Sequence, residues 1–118
     1  MNEWCRSLIK AMVFDDVEVH IVSARPESLY TKTAQWLLRN GVSSEKVLLH
    51  LLRKDNDFTP DHKLKKEWLN SGVMNKEDIL FVVDDRQRVV DMWRQEGLVC
   101  LQCDRWEEYR EEKAPLQT

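Results

Sequence analysis

The stretch that decides the fold is Ile79-Leu80-Phe81-Val82-Val83-Asp84-Asp85-Arg86, an unbroken apolar run cut off by two acids and an arginine. A run this short, ended by charge, reads as a strand buried on both faces, the kind found inside parallel sheets. Two adjacent carboxylates at its end repel one another, a cost offset by a cation, a positive neighbour or a shared proton. Mg²⁺ suits such donors, because it takes one or two carboxylates and fills its remaining positions with water and phosphate oxygens.

Outward from this strand the same punctuation recurs. Val17–Val22 alternates and then turns apolar, ending at Ser23-Ala24-Arg25-Pro26; Val47–Leu52 is a second apolar run, followed by Arg53; Leu98–Leu101 is a fourth strand. Between them the period changes to that of helices. Trp4, Leu8, Ile9 and Met12 form one stripe, and Tyr30, Ala34, Leu37 and Leu38 form another between Pro26 and Gly41. Leu64, Trp68 and Leu69 lie between a possible cap at Asp61 and a stop near Gly72, and Val89, Val90, Met92 and Trp93 run up to Gly97. Strands alternating with helices imply right-handed crossovers, a parallel sheet and a three-layer α/β fold, with ligands at the carboxyl ends of the strands. Residues 1–103 read as the core, and 104–118, rich in acids around Trp106 and Tyr109, as a surface helix fraying into a tail.

The balance of 18 Lys and Arg against 21 Asp and Glu gives a net charge of −3 over 118 residues. That excludes a broadly basic nucleic-acid coat, so any recognition of nucleic acid is local, at a strand end or a single phosphate. No apolar run is long enough to span a membrane, and the charged N-terminus is unlike a secretory signal, so the expected setting is cytoplasmic. Three cysteines, an odd number, point to reduced thiols rather than a disulfide framework.

Three strand ends thus bring a hydroxyl, guanidinium groups and paired carboxylates to one rim: Ser23 and Arg25, Arg53, and Asp84, Asp85 and Arg86. With a lysine from the 61–69 helix, this set can hold Mg²⁺ and phosphate oxygens. Blander readings stand beside it. Asp84-Asp85 can be a turn capping the helix over 86–96, and Ser23-Ala24-Arg25-Pro26 a simple strand-to-helix turn. Lys63, Lys65 and Lys66 can be a solvated face, and spacing does not choose among them. Cys100 and Cys103 lack further ligands at zinc spacing and, on a strand, point to opposite faces. His20 and His50 sit inside apolar strands and read as packed, and the five tryptophans fall on expected helices, where they pack against the sheet.

The residues resemble those of the haloacid dehalogenase (HAD) superfamily: an apolar strand then Ser-x-Arg, a lysine on a later helix, and an apolar strand then Asp-Asp. Within it, the stretch from Val83 to Gly97 with the following Val-Cys-Leu-Gln is similar to the 3′-phosphatase domain of bacteriophage polynucleotide kinase-phosphatase. The resemblance covers residues 2–103 and implies a Rossmann-like, HAD-like sheet and a Mg²⁺-dependent phosphatase acting on the 3′-phosphorylated end of DNA or RNA. It places phosphate contacts on Ser23, Arg25 and Arg53, with Arg86 beside them, the charge-neutralising lysine on Lys65, and the Mg²⁺ ligands on Asp84 and Asp85. Asp57 and Asp61 fall where the family has acids in the same loop.

One part of the family pattern is not met. Its members begin with a strand ending in Asp-x-Asp-x-Thr/Ser, whose first carboxylate attacks phosphorus and whose second moves the proton. Asp15-Asp16, the early candidate, precedes the first strand and lies at the wrong end of the sheet. The expectation is therefore a domain inactive alone, truncated or degenerate, with the strands at 17–22 and 79–83 left with open edges. Such edges can pair directly, exchange strands in a homo-oligomer, or receive a missing N-terminal segment. The alternative function is a non-catalytic module that binds phosphate or a nucleic-acid end, or one that complements a partner's strand.

Overall fold

The computed structural model describes residues 1–106. The chain divides into two compact units, Met1–Phe58 and from Thr59 onward.

In the first unit, α1 (Glu3–Phe14) leads through Asp15 and Asp16 into β1 (Val19–Pro26); a short 3₁₀ turn (Glu27–Leu29) precedes α2 (Tyr30–Arg39), and β2 (Val47–Arg53) follows. β1 and β2 are parallel, in register from Val19 opposite Val47 to Ser23 opposite Leu51. The core forms where Ile9 of α1, Leu37 of α2 and Val42 bury themselves against Val19, Ile21, Val47 and Leu49. Those strand residues alternate, so His20 and His50 belong to the opposite face. There they stack with ring centroids 5.0 Å apart. His20 Nδ1 and His50 Nε2 lie 2.8 Å apart and share a hydrogen bond, and Glu18 closes on the other nitrogen of His20 at 2.7 Å.

In the second unit, α3 (Asp61–Leu69) and a 3₁₀ turn (Lys76–Asp78) precede β3 (Val82–Arg86), α4 (Gln87–Gln95) and β4 (Cys100–Trp106). β3 and β4 are again parallel, with Val82 opposite Cys100 and Asp84 opposite Gln102. Leu64, Trp68 and Leu69 of α3 and Val89, Val90, Met92 and Trp93 of α4 are buried, as are Leu98 and Cys100. Trp68 and Trp93 meet edge to face, centroids 6.5 Å apart at 87°.

Parallel pairing and helical crossovers follow the sequence expectation, and the α/β class stands. The sheet, however, consists of two two-stranded pieces, each strand having one partner among the described residues. Every strand also runs further toward its carboxyl end than the apolar runs suggested. β1 continues past a register shift after Ser23, so that Pro26, which has no N–H to pair, comes opposite Arg53. β3 starts three residues late, because Asp78 and Ile79 are tied into the preceding turn by bonds to Asn75 and Lys76, and the ladder begins where the Val82 N–H reaches the Val99 carbonyl. β4 reaches Trp106, which is therefore on a strand rather than a helix; the tail helix expected beyond it lies outside the described residues.

Two helices leave by the same joint. At Gly41 and Gly97 the backbone is left-handed, φ +71° and +88°, a region that favours glycine. Gly41 and Val42 donate back to Leu38 and Leu37; Gly97 and Leu98 donate back to Arg94 and Trp93. In both, the bonds of a Schellman cap are followed by a buried apolar residue, Val42 or Leu98.

Candidate functional site

Asp84 is the last regular rung of β3 before its register shift. Its side chain is only 10% exposed, and so is nearly that of Lys65, at 12%. Lys65 Nζ donates to Asp84 Oδ2 at 3.1 Å, and the indole Nε1 of Trp93 donates to the same oxygen at 3.1 Å. The other oxygen, Oδ1, accepts the backbone N–H of Asp85 at 2.9 Å. Sequence dictates this cluster locally. On α3, Leu64 and Trp68 point inward and draw Lys65 to the edge of the buried face, while Lys63 and Lys66 are exposed. On α4 the run Val89, Val90, Met92 and Trp93 is buried, which carries the indole under the end of β3. Burying two opposite charges is favourable only with close pairing and further hydrogen bonds, and both are present here.

The other members of this strand end are more open. Asp85 is exposed, and its carbonyl accepts a bond from Gln102 Nε2 at 3.2 Å. Arg86 approaches Asp61 at 3.9 Å, both partly exposed. α3 is flanked by Pro60 and α4 by Arg86, neither with a side-chain cap, so Asp61 occupies the first helical position rather than the cap and Asp84-Asp85 does not cap α4. The turn-and-cap reading of the paired acids therefore fails, and Lys65 separates from its solvated neighbours.

Burial, then the charge of Asp84, pushes the Cys100 thiol up to about 11, so it stays protonated at neutral pH. Cys103 is exposed. Among the described residues no three His, Cys, Asp or Glu side chains converge on a metal position. Mg²⁺ asks for less, and the adjacent oxygen donors of Asp84 and Asp85 suit its chemistry.

In the first unit, Ser23, Arg25 and Arg53 do gather at the carboxyl ends of β1 and β2. Ser23 Oγ accepts the Arg25 N–H at 3.2 Å. The Arg25 side chain is exposed and reaches Thr33 Oγ1 at only 3.5 Å. Arg53 commits Nε to the Ala24 carbonyl at 2.9 Å and Nη1 to the Asp57 carbonyl at 2.7 Å, bracing the end of β1 against the following loop. Asp16 lies at the other end of this sheet, paired with Lys46 at 3.0 Å, where the Val19 N–H bonds the Lys46 carbonyl.

Two features escaped the sequence reading. The Trp93 indole does more than the packing its helical position implies, since it donates to Asp84 Oδ2. The string Asp55-Asn56-Asp57-Phe58-Thr59 also carries the letters Asp-x-Asp-x-Thr. It lies beyond the end of β2 rather than on it: Asp57 N–H closes a turn on Lys54, Asn56 is left-handed at φ +66°, and Asp55 Oδ1 accepts the Ser28 hydroxyl at 2.9 Å.

Comparison with known proteins bears on the fold and the family. A chain in the structure of the Pnkp1/Rnl/Hen1 RNA repair complex superposes with a TM-score of 0.80 at 28% identity, over 92% of the present chain and 34% of its own length. A second structure of the Pnkp1/Rnl/Hen1 complex gives 0.79 at 28% identity, over 92% and 37%. The chain thus spans about a third of the length of the proteins it matches. The profile of the HAD_PNKP family, the polynucleotide kinase PNKP phosphatase domain, matches residues 1–107, and with that extent of agreement the chain belongs to this family of HAD-like phosphatase domains.

Proposed function

We propose that this chain carries the phosphate- and Mg²⁺-binding parts of a polynucleotide 3′-phosphatase, a HAD-type phosphomonoesterase of nucleic-acid end repair. The observation that carries the reading is the largely buried Lys65–Asp84 pair at the end of β3, followed at once by the exposed Asp85. Asp84 and Asp85 would hold Mg²⁺, which when bound offsets charge on the phosphoryl oxygens. Lys65 places a positive charge beside Asp84, 3.1 Å from its Oδ2. In the first unit the Ser23 hydroxyl and Arg25 guanidinium bind phosphoryl oxygens and Arg53 fixes the loop after β2; in the second unit Arg86 offers a further guanidinium. The reaction class is phosphate-monoester hydrolysis at the 3′ end of DNA or RNA.

No described strand ends in Asp-x-Asp-x-Thr, and the string at 55–59 sits in a turn with Asp55 bonded to Ser28. We therefore assign the chain by itself to binding the 3′-phosphorylated end without turnover. Each strand having one open edge among the described residues favours completion by a further strand, from a second copy or another segment. A cytoplasmic setting, with other end-repair proteins as partners, accompanies this reading; among the described residues no helix is long and apolar enough to cross a membrane.

The test pairs calorimetric titration of a 3′-phosphorylated oligonucleotide, with and without Mg²⁺, with an assay of phosphate release. Wild type, Asp84→Asn/Asp85→Asn and Asp55→Asn are run together, on DNA and RNA. Mg²⁺-dependent binding lost in the double variant is the expected result. Binding indifferent to Mg²⁺ and to both carboxylates overturns the reading. Phosphate release abolished by Asp55→Asn would make Asp55 the attacking group and overturn the assignment to binding alone.

A further inference from the structure

The structure assigns to Trp93 the task of positioning Asp84 so that the carboxylate presents a single oxygen, Oδ1, to a divalent cation. This rests on the reading of Asp84 as a Mg²⁺ ligand.

A carboxylate oxygen has two good acceptor directions. On Oδ2 both are taken, by Lys65 Nζ and by Trp93 Nε1, each at 3.1 Å. On Oδ1 one is taken, by the Asp85 N–H at 2.9 Å, which leaves one. Asp84 is thus set for one-oxygen coordination. The two donors on Oδ2 differ in kind. An ammonium on a four-carbon stem can follow the carboxylate as it rotates. The indole cannot follow, because Trp93 is 3% exposed and locked edge-to-face against Trp68. Its donor points one way, so it fixes the torsion of the Asp84 side chain. It is also neutral, so it orients the carboxylate without cancelling charge that attracts the cation, as a second lysine or arginine would. Hydrogen-bonded partners behind a metal ligand typically change metal affinity about 10–100-fold when removed.

The test replaces Trp93 with Phe, and separately with site-specifically incorporated β-(3-benzothienyl)alanine, which keeps the bicyclic shape and has no N–H. Mg²⁺ affinity is measured by calorimetry on the whole chain near neutral pH, beside wild type and Asp84→Asn, with thermal melting as a fold control. The expected result is about tenfold weaker Mg²⁺ binding in the benzothienyl protein at an unchanged melting temperature. For Trp93→Phe the loss is equal or larger. A benzothienyl protein that binds Mg²⁺ as wild type does, while Asp84→Asn is impaired, overturns the positioning role alone. Wild type that binds no Mg²⁺, or binding unchanged in Asp84→Asn, overturns the metal reading and this inference with it.

Discussion

The carboxyl end of β3 is finished within its own unit, whereas the carboxyl ends of β1 and β2 are open. At the first, a buried carboxylate has every acceptor direction but one filled by donors from α3, α4 and its own backbone. At the second, Arg25 is exposed with one long contact to Thr33, and Arg53 is turned onto backbone carbonyls. A small hard cation is bound by rigid donors at fixed distances, and a rigid site must be built before the ion arrives. A phosphate at the end of a polymer is larger and hydrated, and long guanidinium arms can close on it after contact. The contrast matches the division of labour proposed for the two sets of residues.

Removing the finished end is expected to cost most. Asp84→Ala leaves the Lys65 ammonium buried and unpaired, and chemical denaturation should show a loss of about 3–5 kcal/mol. A loss below about 1 kcal/mol would mean that water reaches this carboxylate freely and that the contrast is not real. Arg53→Ala comes next. It strips two charge-assisted bonds from the carbonyls of Ala24 and Asp57, worth about 1.5–3 kcal/mol together, and should speed proteolysis in the loop after β2.

A pH effect of smaller size belongs to the first unit. Burial, and then neighbouring His20, lower the proton affinity of His50 below that of an ordinary imidazole. The unfolded chain then binds the proton more readily than the folded one, so stability is full above about pH 6.5 and falls as the pH drops below it. Melting temperatures should decline from about pH 7.5 to 5.5, and His50→Gln should flatten that decline. The smallest effect on stability is expected for Arg25→Ala, within about 0.5 kcal/mol because the side chain is exposed. The same variant should weaken binding of a 3′-phosphorylated oligonucleotide markedly. That sharpens the contrast: at the open end, ligand contacts and fold contacts separate, and at the finished end they coincide.

How much of this was legible depended on whether a feature was local. The β3 strand and its charged end announced themselves, because a short apolar run stopped by acids has few other uses. The helices showed through their periodic stripes, and Gly41 and Gly97 marked two of their ends. The choice of Lys65 over Lys63 and Lys66 was carried by resemblance alone; the physical reason, that Leu64 and Trp68 turn that edge of α3 inward, needs the packed helix. The indole of Trp93 and the backbone bonds of Arg53 were invisible for a related cause. A tryptophan that packs and one that also donates have the same letter, and a carbonyl acceptor has no letter at all. Strand ends were misjudged because pairing, not hydropathy, sets them. β1 and β3 keep pairing through Ser, Arg and Asp beyond the apolar run.

The repeated helix exit has a consequence for hydrogen exchange. Val42 and Leu98 lie in connections, outside any helix or strand, yet each donates its N–H to a carbonyl of the preceding helix and buries its own side chain. Amides of ordinary connections exchange with solvent deuterium quickly, since local fraying suffices to release them. These two can exchange only when the last turn of α2 or α4 opens and an apolar side chain leaves its packing. In deuterated buffer Val42 and Leu98 should therefore keep their protons about as long as the core helices do, timing the joints by the same clock as the elements they join.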